Sequence, residues 1–172
     1  MNVVVVGQLV ECAIELKSIG SIKWSWRTNL IAQPIAQALS HVGWVGIVRH
    51  ERGVLESPAP FAETAAEMRG AGADVVAERI DVSVGSDVER LARRAREAFG
   101  RTDLLFNNAG VGSGGLIWEN TERDWQWVLG VNLWGVVHGI RAFVPDMLAR
   151  PGAGHVVNTA SVAGLLAPPL MG

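Results

Sequence analysis

From residue 34 onward, short apolar runs alternate with stretches whose apolar residues recur three or four positions apart. That alternation constrains the fold more than any other feature of the chain. Strands separated by helices of this length form βαβ units, hence a parallel sheet with right-handed crossovers. Pro34 can open a helix, where its missing N–H costs nothing. Ile35, Ala38, Leu39 and Val42 then share one face, and Gly43 supplies a stop. Trp44-Val45-Gly46-Ile47-Val48 reads as a buried strand, Phe61–Arg69 as a short helix ended by Gly70, and Ala73–Ile80 as the next strand.

The second half repeats the pattern. Ser86-Asp87-Val88-Glu89 has capping-box spacing, and Val88, Leu91, Ala92, Ala95 and Phe99 form an apolar stripe that Gly100 closes. Arg90, Arg93, Arg94 and Arg96 interleave with Asp87, Glu89 and Glu97, which reads as a solvated face rather than a phosphate patch. Asp103–Phe106 is a predicted strand running into Asn107-Asn108-Ala109-Gly110. Thr121 caps a long helical stretch that runs, with some interruption, to about Ala149. His155–Thr159 is the last predicted strand and ends at Ala160-Ser161. No internal repeat intervenes, so residues 34–172 read as one doubly wound α/β domain.

Composition narrows the function. A chain of 172 residues with 49% apolar and 19% charged residues forms a cored domain rather than a disordered one. A net charge of −2 gives no electrostatic footprint for nucleic acid. Cys12 stands alone and the four histidines (His41, His50, His138, His155) are scattered, so no metal site is expected. No apolar run approaches the ~20 residues of a membrane span, and the opening Met-Asn-Val-Val-Val-Val lacks a basic flank for a signal peptide. A cytoplasmic setting is expected. The chain contains no tyrosine, which removes a phenol from its possible catalysts.

In an open parallel sheet, ligands bind beyond the carboxyl ends of the strands. Asp81-Val82 follows Ile80, Asn107-Asn108-Ala109-Gly110 follows Phe106, and Ala160-Ser161 follows Thr159. Each also suits a plainer role. Asp81 can cap a turn, the Asn-Gly run can be turn chemistry, and Ser161 can be a loop serine. Asn132, inside an apolar helix, needs hydrogen-bond partners that structure alone could supply. Trp125, Trp127 and Trp134 read as core or helix-packing residues, with a surface for homologous subunits as the other reading.

Taken together, Asp81, Asn107-Asn108-Ala109-Gly110, Asn132 and Ser161 stand in the order and at about the spacing of the short-chain dehydrogenases/reductases. Gly139–Phe143 and Gly154–Asn158 also resemble that family's central helix and fifth strand. The resemblance covers roughly residues 34–172 and implies a Rossmann-like, three-layer α/β/α fold binding NAD or NADP. It implies that Asp81 and the Val82 backbone receive the adenine and that Asn107, Asn108, Ala109 and Gly110 run beside the cofactor. Asn107 would steady the sheet there. Ser161 would hydrogen-bond the oxygen of a small-molecule alcohol or ketone, and Asn132 would hold a water leading to a catalytic lysine. Full-length relatives are expected to be homo-oligomers, with neither nucleic acid nor membrane as partner.

Two departures qualify the resemblance. The family's Tyr-x-x-x-Lys pair belongs about a dozen residues beyond Ser161, whereas the lysines here are Lys17 and Lys23. The sequence therefore reads as an N-terminal portion of such an enzyme, inactive by itself. The glycine-rich phosphate loop is also unmatched. Counted back from Gly43 it falls on Ser25–Ala32, with Trp26, Leu30 and Ala32 at its glycine positions. With Val3–Val6 as the first strand and Gly7 opening the turn, Leu9 and Cys12 break the spacing. Residues 1–33 thus read as a segment foreign to the family. Arg49-His50 stand where an acid would select NAD, which leaves NAD and NADP both open. The alternative function is an inactive module with partial dinucleotide binding or an oligomerisation role. A nucleotide-sugar epimerase is a third reading, against which the NNAG run argues.

Overall fold

The computed structural model describes residues 3–6, 44–45, 65–66, 69–70, 74–113 and 115–166. In chain order these carry strands β1 (Val3–Val6), β2 (Trp44–Val45) and β3 (Val75–Val76), helix α1 (Gly85–Phe99) and strand β4 (Leu104–Asn107). Helix α2 (Glu122–Leu129), a π-helical turn (Gly130–Trp134), helix α3 (Gly135–Leu148), strand β5 (His155–Asn158) and a 3₁₀ turn (Val162–Gly164) follow.

The five strands form one sheet in the order β3-β2-β1-β4-β5, with every pairing parallel. The winding runs outward from β1 through β2 to β3 and, on the other side, through β4 to β5. The direction therefore reverses between β1 and β4, the arrangement of a doubly wound sheet. Val3–Val6 supplies the central strand, with Val6 level with Asn107 on β4. These four residues, which lie before the expected boundary at residue 33, pair into the sheet. Four β-branched residues in a row suit a strand buried between two neighbours, and Val4 is buried.

Helix α1 packs on α3 and reaches β2 and β3, and α3 packs on β4. Val88, Leu91, Ala92 and Ala95 are buried as the stripe predicts, and they meet Val4, Ile80, Leu105, Val131 and Phe143 in one core. Gly100 ends α1 in the left-handed conformation (φ 72°) and donates to the Arg96 carbonyl. Opposite the stripe, Arg90 pairs with Glu78 and Asp87, Arg94 with Glu97, and Arg96 with Asp146, as a charged solvated face should.

The Ser86 cap is corrected. The helix begins at Gly85, its N-cap is Val84, and among the described residues no side chain caps it. The side chain that serves this turn is Asp87, whose carboxylate accepts from the Asp81 N–H at 2.9 Å. At α2 the capping box is present: Thr121 accepts from the Asp124 N–H and Asp124 accepts from the Thr121 N–H. The expected interruption of the long helix is the π turn at Gly130–Trp134.

Strand bounds differ modestly. Among the described residues of Ala73–Ile80 only Val75–Val76 pair as strand, Asn107 lies inside β4, and β5 stops at Asn158. Gly70 is itself helical. The helix expected after Pro34 lies outside the described residues, as do Gly46–Val48 and the segment 7–33.

Two further expectations change. Trp127 is half-buried against the core, but Trp125 and Trp134 are exposed. Glu122–Leu148 is, by length and composition, long and apolar enough to cross a membrane, contrary to the sequence estimate. In this fold that run lies along the domain, with Val131, Gly135, Gly139 and Phe143 buried.

Candidate functional site

The reversal between β1 and β4 fixes where a ligand crevice belongs, at the carboxyl edge beside Val6 and Asn107. All three candidate segments leave that edge. Asp81 follows the chain out of β3, Asn107-Asn108-Ala109-Gly110 leaves β4, and Ser161 lies three residues past the end of β5. The register pairs Asn107 with Asn158, so Gly110 and Ser161 stand equally far along adjacent strands.

The Asp81 turn is closed from within. Its Oδ1 accepts from the Ser83 N–H at 2.9 Å and from the Ser83 hydroxyl at 2.7 Å, and its carbonyl accepts from the Val84 N–H. The plainer role suggested by the sequence, an aspartate turn, is therefore present. Asp87 sits beneath it, its carboxyl held below the ordinary carboxylate range by the hydrogen bond from Arg90 and then by the Asp81 N–H. Val82 is fully buried, and its carbonyl lies 2.9 Å from His138 Nδ1.

At the end of β4, Asn107 is buried and donates through Nδ2 to Asn158 Oδ1 at 2.8 Å. Its own Oδ1 is buried and has no hydrogen-bond partner among the described residues. It faces Gly139 so closely that a Cβ on that glycine would fall 2.1 Å away. One step on, the Thr159 hydroxyl donates to Asn108 Oδ1 at 2.6 Å, and the Thr159 N–H donates to the Asn107 carbonyl. These bonds tie the ends of β4 and β5 together, and the segments bearing Gly110 and Ser161 depart from one bridged base.

Asn132 sits mid-way in the π turn. Its Nδ2 donates to the Val111 carbonyl and its Oδ1 accepts from the Val111 N–H, both at 2.8 Å. The widened turn presents this amide sideways to the loop after Gly110 and pins it. An amide retains a further donor and acceptor after two such bonds. Ser161 is exposed, and its carbonyl accepts from the Gly164 N–H of the 3₁₀ turn.

Sequence reasoning passed over Asn158, Thr159, Asp87 and His138. A polar pair ending an apolar strand was the available signal for the first two. The sequence carried no sign of the His138 contact, because Val82 is 56 positions away.

A family model described as short chain dehydrogenase matches residues 31–172. The chain belongs to this family. Among solved structures it is similar to a short chain dehydrogenase/reductase from Burkholderia phymatum in complex with NAD. That likeness has 49% identity and a TM-score of 0.66, covering 76% of this chain and 43% of the other. It is also similar to the CLA biosynthesis dehydrogenase/reductase of Lactiplantibacillus plantarum, 39% identical over 58% of this chain and 35% of that protein. A third relative is an uncharacterized NAD-dependent oxidoreductase of Mycobacterium tuberculosis, 38% identical over 63% of this chain and 40% of its own. The chain thus spans well under half the length of these curated relatives.

Proposed function

We propose that this chain binds NAD or NADP across the carboxyl edge of its sheet and orients an alcohol or ketone for hydride exchange. The observation that carries the reading is that the Asp81 turn, the Asn107–Gly110 run and the Ser161 loop all leave the same carboxyl edge of the sheet in a member of this family. Asp81 and Val82 would hold the adenine, and Asn107, Asn108, Ala109 and Gly110 would run beside the sugar and nicotinamide. The NAD-bound and NAD-dependent relatives favour NAD, and Arg49-His50, outside the described residues, leaves room for NADP.

Gly110 supports the fit. Its φ lies outside the left-handed region, and among the described residues a Cβ there would meet only Asn132 Oδ1, at 3.9 Å. Among the described residues neither backbone nor packing asks for glycine at this point, which agrees with close approach by a ligand.

The cofactor, when bound, accepts or supplies the hydride. Ser161 would donate a hydrogen bond to the substrate oxygen, polarising a carbonyl or holding an alcohol. Asn132 would keep the loop after Gly110 in register, and its remaining donor and acceptor could hold a water. The chain contains no tyrosine, so its own residues bind and orient without supplying a phenol proton. Exposed apolar side chains flank the edge, Ile117 and Trp118 on one loop and Val162, Leu165 and Leu166 on the other. They suit a small, uncharged alcohol or ketone. The same reading expects a cytoplasmic setting and a homo-oligomeric full-length enzyme.

Gly110→Val provides the test, by calorimetric titration of the full chain with NAD and with NADP. The expected result is at least about tenfold weaker binding of the preferred cofactor, with an unchanged melting temperature. Equal affinity in the two proteins, or no binding of either cofactor by the original chain, overturns the reading.

A further inference from the structure

Two contacts reach the Asp81–Val82 turn from opposite helices, and neither is needed to close the turn itself. From α1, the Asp87 carboxylate takes the Asp81 N–H on Oδ2 while its Oδ1 accepts from Arg90 Nη1 at 2.5 Å. Arg90 in turn donates to Glu78 Oε1 at 2.6 Å, three residues upstream of the turn. From α3, His138 Nδ1 meets the Val82 carbonyl at 2.9 Å. A carbonyl only accepts, so Nδ1 carries the proton, and this remains true whether or not the ring is charged.

The internal bonds from Ser83 and Val84 fix the shape of the turn. They do not fix its position relative to the sheet and helices. Asp87 and His138 do, because each belongs to a helix anchored in the core, by Val88 and Leu91 on α1 and by Phe143 on α3. Close packing supports the second contact. Gly135 lies one turn before His138, and a Cβ there would come within 3.1 Å of the Val82 side chain, so α3 begins in contact with the turn. The His138 ring also rests on α1, since a Cβ at Gly85 would lie 3.4 Å from its Cδ2 and Nε2.

We infer that Asp87 and His138 are positioning residues that clamp the Asp81–Val82 turn between α1 and α3 before any ligand arrives. The clamp engages one backbone donor and one backbone acceptor on successive residues, so the turn cannot rotate about its own axis without breaking a bond. Its purpose, presenting a preformed adenine end to the cofactor, rests on the reading proposed above. Its existence does not.

Amide hydrogen exchange on the isotopically labelled full chain separates the two. Asp87→Ala and His138→Leu each remove one arm. His138→Asn keeps an amide nitrogen near the place of Nδ1. Exchange at the Asp81, Ser83 and Val84 amides should rise about fivefold to tenfold in each of the first two variants, as loss of one net hydrogen bond implies. Amides of β4 should be unchanged, and His138→Asn should stay within about twofold of the original chain. Unchanged rates in both arm-removing variants overturn the clamp, as does acceleration spread equally over β4. The affinity of the same proteins for ADP-ribose reads the functional claim independently. If the original chain binds no ADP-ribose, the cofactor reading fails while the exchange pattern still decides the clamp.

Discussion

Gly139→Ala should destabilise the protein although alanine favours a helix. The added Cβ would stand 2.1 Å from Asn107 Oδ1 and 3.0 Å from its Cγ. Ordinary contact begins near 3.4 Å, so the Asn107 oxygen must withdraw by at least about 1.3 Å. Asn107 is 3% exposed and sits at the end of a central strand, so it has nowhere to go without releasing Asn158, which it holds at 2.8 Å. Overpacking of this kind costs about 1–3 kcal/mol. The lost side-chain bond adds about 1 kcal/mol, and the gain in helix propensity returns about 1 kcal/mol. The net is about 2 kcal/mol, which for a chain of this size lowers Tm by about 4–8 °C. Thermal unfolding followed by circular dichroism measures it, with Gly112→Ala as control, since a Cβ there meets nothing within 4 Å among the described residues. Adding Asn107→Ala should make the Gly139→Ala step nearly neutral. A Gly139→Ala protein that melts at or above the original temperature would refute the reasoning.

Two further outcomes follow from the helix ends. Thr121→Ala removes the capping box of α2 and should cost about 1 kcal/mol, read as a Tm lower by about 2–4 °C, whereas Thr121→Ser should restore most of it. Asp87 is held below its ordinary value near 3.8, first by Arg90 and then by the Asp81 N–H. A carboxyl depressed on folding contributes stability that is present above that value and is lost as pH falls through the folded value. Tm should therefore fall more steeply below about pH 4 in the original chain than in Asp87→Asn. Carbon-detected titration should show the Asp87 carboxyl moving up in Arg90→Gln, and an unmoved titration would contradict the assigned cause.

The parts of this fold that could be read from sequence were those carried by local chemistry. Apolar runs of strand length and a stripe at helical spacing located β4, β5 and α1, because burial acts on every residue of such elements alike. Thr121 was legible since both halves of its box lie within four residues. Ser86 misled because several short polar side chains near a helix start compete for the same amides, and Asp87 is drawn instead to Asp81 and Arg90. Val3–Val6 was undecidable locally. Its place at the centre of the sheet depends on Trp44 and Leu104, and nothing within the first strand itself specifies those neighbours. The site divides the same way. Polar residues at strand ends marked Asp81, Asn107 and Ser161, but the bonds that position them join residues far apart in the chain, Asn107 with Asn158 and His138 with Val82. The π turn explains Asn132, since its amide reaches Val111 sideways from an otherwise apolar helix.

In the proposed function a nicotinamide dinucleotide lies over the carboxyl ends of β3, β4 and β5. Titrating the labelled chain with NAD and following backbone amide resonances tests it most directly. The largest shifts are expected at Asp81, Val82, Asn107, Asn108, Ala109, Gly110 and Ser161. Shifts centred instead on the hollow around Arg101, Arg150 and Gly152, at the opposite edge of the sheet, would contradict it, as would no shift anywhere at millimolar NAD.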